Sequence, residues 1–150
     1  MDSHRAPEAL ELIRLGDGDQ SVSVRLPSTT PVASGGSARY YAAEAVVISG
    51  FVSGTVHLGF DSDDLTDLGR LLDAIAEVEA EPDPDDPFTA DWPREGDTAC
   101  LRFIIEDPWV VEVCDGPSTG VAVAVPLDMG EGWIAGARDR LAAARVALGE

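Results

Sequence analysis

The 150-residue sequence contains no lysine and no asparagine, and all ten of its basic residues are arginine. Both missing residues have A/T-rich codons, so the gap reads as the bias of a GC-rich bacterial genome. Without lysine there is no Walker A phosphate loop, no Schiff-base lysine and no lysine-dependent nuclease or β-lactamase motif. Basic charge is scarce altogether. Ten Arg face 28 Asp and Glu, for a net charge of −18 and a pI near 4.1, which argues against nucleic acid and anionic membranes as partners. The two cysteines, Cys100 and Cys114, are too few for a secreted disulfide framework and are expected to be reduced thiols of a cytoplasmic protein. Long apolar runs are missing as well. The longest stretch free of Asp, Glu and Arg, Ala45–Phe60, is interrupted by Ser49, Gly50, Ser53, Gly54 and His57, so neither a signal peptide nor a membrane span is expected.

What is present is enough apolar material, 45% of residues, to bury a core without metal or disulfide staples. Residues 1–9 read as a loose tail and 10–150 as a single α+β domain. Glu11–Leu15 and the alternating Ser21–Leu26 form a hairpin about the turn residues Gly16–Asp19. Pro27–Ala38 reads as a flexible loop. Ser49-Gly50 serves as a two-residue turn between Tyr41–Ile48 and Phe51–Phe60, which puts Tyr41, Ala43, Ala45 and Val47 on the core face and Glu44 and His57 on the other. A helix follows, capped by Asp61 or Ser62, with Leu65, Leu68, Leu71, Leu72, Ile75 and Val78 at helical spacing.

Glu81–Asp97, with four prolines and a cluster of acids, reads as an exposed loop pinned by Phe88 or Trp92. The next hairpin tests its own register: Cys100/Cys114, Leu101/Val113, Arg102/Glu112, Phe103/Val111 and Ile104/Val110 pair apolar with apolar, Arg with Glu and thiol with thiol. A strand over Val121–Val125 and a helix starting near Asp128, with the stripe Ile134, Ala137, Leu141, Ala144 and Leu148, complete the chain. The expected architecture is a mostly antiparallel sheet of about seven strands, in the order ββββ-α-βββ-α, packed against two helices.

Several motifs suggest chemistry that their context refuses. Gly116-Pro117-Ser118-Thr119-Gly120 matches the G-x-S-x-G nucleophile elbow, but a strand follows it and no His lies beyond His57, so it reads as a turn. Asp61-Ser62-Asp63-Asp64 lacks the Gly and the final Glu of an EF-hand and reads as a helix cap. Cys100, Cys114, His57 and His4 lack zinc-ligand spacing. No metal and no cofactor is expected. A site built on Glu44 and His57, with Cys100, is the arrangement left for an enzyme or ligand-binding domain. Trp109 and Trp133 are expected in the core, whereas Trp92 sits in the acidic loop as an exposed contact residue. The outer sheet face collects Val46, Ile48, Phe51, Ile104 and Val110 among Glu44, Arg102, Glu112 and His57, a surface suited to another protein unless a helix covers it.

The segments Glu11–Leu15 (ELIRL), Tyr41–Phe60 (YAAEAVVISGFVSGTVHLGF) and Asp115–Pro126 (DGPSTGVAVAVP), with Trp133 in the last helix, together resemble a family of small, acidic, uncharacterised actinobacterial-type domains, from about residue 10 onward. That resemblance implies no activity and no catalytic residues. In layout the chain is also similar to the small acidic immunity proteins of polymorphic toxin systems, including the WapI type. The leading expectation is a non-enzymatic domain that binds another, basic protein through Asp83, Asp85, Asp86, Trp92 and Glu95, as an immunity protein or inhibitor would. The competing ones are an enzyme or ligand-binding domain on the Glu44/His57 face and a housekeeping domain whose acidity serves solubility.

Overall fold

A computed structural model describes residues 10–17, 19–36, 38–93, 99–106, 109–116 and 118–150; the expected tail 1–9 lies outside the described residues. The fold is α+β; the described residues form nine strands, all paired antiparallel, and two helices. Strands β1 (Leu10–Gly16), β2 (Ser21–Leu26), β3 (Ala33–Gly35), β4 (Ala38–Ile48) and β5 (Ser53–Asp61) form one sheet, in which β4 lies between β5 and both β2 and β3. Helix α1 (Ser62–Ala80) follows. Strands β6 (Phe88–Trp92), β7 (Cys100–Ile105), β8 (Trp109–Cys114) and β9 (Ala122–Leu127) form a second sheet in chain order, and helix α2 (Trp133–Leu148) closes the chain. The expected single sheet of about seven strands is therefore two sheets, whose buried residues nonetheless form one cluster.

Alternation produces that cluster. Val22, Val24 and Leu26 of β2 and Tyr41, Ala43, Ala45 and Val47 of β4 point inward, as do Leu101 and Phe103 of β7 and Val111 and Val113 of β8. Helix α1 lays Leu65, Leu68, Leu71, Leu72 and Ile75 against them, one residue per turn or more on a single stripe. Arg138 of α2 reaches Asp73 of α1 at 2.7 Å, and Arg140 reaches Glu11 of β1 at 3.4 Å.

The β7–β8 register is the expected one from Cys100↔Cys114 to Ile104↔Val110. The β4–β5 register differs by two residues, with Ile48 opposite Ser53 and not Phe51. The connection is longer than two residues because the Ser49 hydroxyl accepts from the Val52 N–H at 2.9 Å and the Ser49 N–H donates to the Val52 carbonyl at 3.0 Å, closing a loop over residues 49–52. A shift of two keeps every side chain on its expected face. The expected loop Pro27–Ala38 contains the short β3, and the expected start of the last helix at Asp128 moves to Trp133, because Gly130 and Gly132 take positive φ and the helix begins only after them.

Candidate functional site

The described part of the loop expected to face a partner, residues 81–93, splits in two. Its first half leaves α1 at Glu81, whose N–H still reaches the Glu77 carbonyl at 3.1 Å, and three prolines at 82, 84 and 87 then forbid helix. Asp83 organises the turn: its carboxylate accepts from the Asp85 N–H at 3.0 Å and its carbonyl from the Asp86 N–H at 3.2 Å. Asp83, Asp85 and Asp86 are all exposed. Its second half, Phe88–Trp92, is strand β6 and not loop, because Phe88, Ala90 and Trp92 alternate inward opposite Ile105, Phe103 and Leu101, and residues 94–97 lie outside the described residues.

That strand overturns the placement of Trp92. Its side chain is fully buried, 5.5 Å from Phe60 of the first sheet between ring centres, and its indole N–H donates to the Asp64 carbonyl of α1 at 2.7 Å. Trp92 ties both sheets to the helix and presents nothing to a partner. Glu95 lies outside the described residues.

Asp83 and Asp86 do border a cleft of about 590 Å³ at the end of α1. Its floor and walls are Val78, Pro82, Pro87, Phe88, Ile105 and Trp109, and its rim carries the carboxylates of Glu79, Asp83, Asp86 and Glu106. Among the described residues no basic side chain, hydroxyl, thiol or imidazole lines it. Trp109 is half-buried and stands edge-on to Trp133, centroids 5.1 Å apart, while the Trp133 indole N–H donates to Glu79 at 3.2 Å. On the other side of Trp109 a second cleft of about 470 Å³ repeats the theme with Glu79, Asp128 and Met129. Such walls accept the aliphatic stem or flat face of a cationic side chain, and such a rim accepts its charge. A third depression, of about 440 Å³ beside β6, differs: Arg70 reaches its Asp67 at 3.4 Å and Arg102 holds its Asp91 at 2.8 Å, so its carboxylates are already paired.

Glu79, Phe88, Glu106 and Trp109 were not singled out as contact residues by sequence. The readable signal was an aromatic at the first position of a strand, where the pairing ends and the ring meets solvent on one side.

The alternative site comes together only in part. Glu44 and His57 face each other directly across β4 and β5, and Arg25 extends the row from β2, its Nε 3.1 Å from the Glu44 carboxylate. Cys100 is on the other sheet, as are Arg102, Glu112, Ile104 and Val110, so the expected mixed face is divided between two sheets. Burial, then the neighbouring Cys114 and Asp91, push the Cys100 thiol up to about 11, the opposite of what a nucleophile needs. Among the described residues no group of three or more His, Cys, Asp or Glu is placed to hold a metal. Asp61 and Asp64 instead cap α1 reciprocally, each carboxylate accepting the other's N–H at 2.9 Å. Of the elbow-like motif, Pro117 lies outside the described residues, while Thr119 and Gly120 turn back on Asp115, whose carbonyl accepts from both their N–H groups. No described helix is long and apolar enough to cross a membrane.

No curated protein and no solved structure matches the chain, and the likeness in layout to WapI-type immunity proteins is not shown. Residues 10–149 match the family described as "Family of unknown function (DUF5959)", the same stretch over which the sequence resembles a family of uncharacterised domains, and the chain belongs to that family.

Proposed function

We propose that the chain is a non-enzymatic protein-binding domain that takes a basic segment of another protein in the cleft at the end of α1, and that its specific role is that of an immunity protein or inhibitor of a basic toxin. The observation that carries the reading is the lining of that cleft: a hydrophobic floor centred on Trp109 and Phe88, four carboxylates on the rim and, among the described residues, no opposing cation. Desolvating a carboxylate rim costs free energy that only a cationic partner returns, and a chain of net charge −18 steers such a partner from a distance. The Glu44/His57 face supports an enzyme less well, because Glu44 is already engaged by Arg25 and His57 stands exposed.

A synthetic peptide alternating arginine with leucine tests the cleft by titration calorimetry. Binding is expected to weaken about tenfold or more between low and physiological salt, to weaken by a similar factor in the double variant Asp83→Asn/Asp86→Asn, and to persist in Glu44→Gln and His57→Ala. Affinity indifferent to both salt and the rim carboxylates would overturn the reading.

A further inference from the structure

Away from the acidic cleft, the tip of the β4–β5 hairpin carries Phe51, 95% exposed and the most exposed large apolar side chain among the described residues. It is held there, since the Ser49 hydroxyl accepts from the Phe51 N–H at 3.2 Å and from the Val52 N–H at 2.9 Å. Beside it, where the ends of the two sheets part, lies a crevice of about 310 Å³ walled by Val47, Val52 and Val56 of one sheet region and Val113, Val121 and Val123 of the other. A dry cavity of about 150 Å³ already holds benzene, so this one has room for a phenyl ring. Its one carboxylate, Asp115, accepts the Thr119 hydroxyl at 2.9 Å.

We infer that this end of the molecule is a self-association surface, in which Phe51 of each of two copies inserts into the valine-walled crevice of the other. Two observations select a second copy as the occupant. The knob and the hole sit side by side on one surface, which is what a two-fold contact requires to close on itself. The hairpin also belongs to the longest stretch of the sequence without Asp, Glu or Arg, Ala45–Phe60, so the inserting tip itself brings no like charge into the contact, and the Asp115 carboxylate of the crevice is already engaged by Thr119. Because the loop is braced by Ser49, little conformational freedom is lost on insertion.

Sedimentation velocity of the full chain, from micromolar to millimolar concentration, tests the inference. A monomer–dimer equilibrium is expected that shifts toward dimer as salt rises, by screening of like charge; the basic peptide in the acidic cleft responds to salt in the opposite sense. Phe51→Ser and Val121→Asp, both at exposed positions and checked for unchanged circular dichroism, are each expected to leave monomer only. Mixing the two variants is expected to recover association in part, through the one contact left whole, in which the intact Phe51 of one meets the intact crevice of the other. A chain that stays monomeric at millimolar concentration and high salt, a dimer indifferent to Phe51→Ser, or a mixture that fails to associate would each overturn it.

Discussion

Helix α1 begins and ends on carboxylates, and its two ends use them in opposite ways. At the start, Asp61 and Asp64 satisfy each other's backbone N–H groups, Asp63 adds charge where the helix dipole is positive, and Trp92 closes over the turn. At the finish, Glu77, Glu79 and Glu81 crowd the negative end of the same dipole, the last turn holds no basic residue, and Asp83, Asp85 and Asp86 follow. One end is packed and partnered; the other opens on a cleft. The same residue type is explained by folding at the first end and is a cost to folding at the second, and that difference makes the second the place to look for a partner.

The largest expected effect lies at the closed end. Trp92→Ala removes a fully buried indole that touches Phe60 and bonds to α1, and is expected to lower stability by about 3–5 kcal/mol in urea denaturation. A loss below about 1 kcal/mol, as for a surface residue, would mean that this end is no better packed than the other.

A smaller effect shows that even the closed end has a cost. Burial, opposed by the Asp61 N–H and reinforced by the Asp61 and Asp67 charges, pushes the Asp64 carboxyl up to about 6. Its folded value thus exceeds the unfolded value near 3.8, so its contribution is complete below that value and is lost as pH rises through about 6. Asp64→Asn, which keeps an acceptor for the Asp61 N–H, is expected to flatten this decline. The difference between pH 4 and pH 8 is on the order of 1 kcal/mol, after allowance for solvent screening of a half-exposed group. Parallel stability-against-pH curves for the two proteins would remove this asymmetry between the ends.

The contrast also marks what the sequence could reveal. Helix α1 was legible because its leucine stripe and Asp61 cap agree, and the β7–β8 register because five opposed pairs match at once. Strand β6 was hidden by its neighbours: Phe88–Trp92 alternates correctly, but prolines and acids on its N-terminal side spoke for loop, and Asp91 gains its meaning only opposite Arg102. Trp92 was misplaced for the same reason. The second sheet could not be read from pairing at all, since local hairpins specify which strands are neighbours but not where the sheet breaks. Of the candidate site, the acidic turn was legible by composition, whereas its floor comes from Ile105 and Trp109, distant in the chain, which only tertiary packing brings beneath it.

The smallest expected effect probes the open end directly. Glu81 is exposed, caps the helix C-terminus and borders, with Asp83 and Asp86, a hollow of about 390 Å³ next to the main cleft. Glu81→Arg places a cation where the dipole is negative and among carboxylates, so stability is expected to rise by about 0.5 kcal/mol at low salt and by less as salt screens the interaction. The same substitution sets a fixed cation in the path of an incoming one, so the arginine–leucine peptide is expected to bind more weakly. The two signs must appear together. A gain in stability with undiminished binding would show that the acids at this end burden the helix without serving a partner, and no gain at all would show that solvent already relieves them, leaving the two ends of α1 alike in energy though unlike in structure.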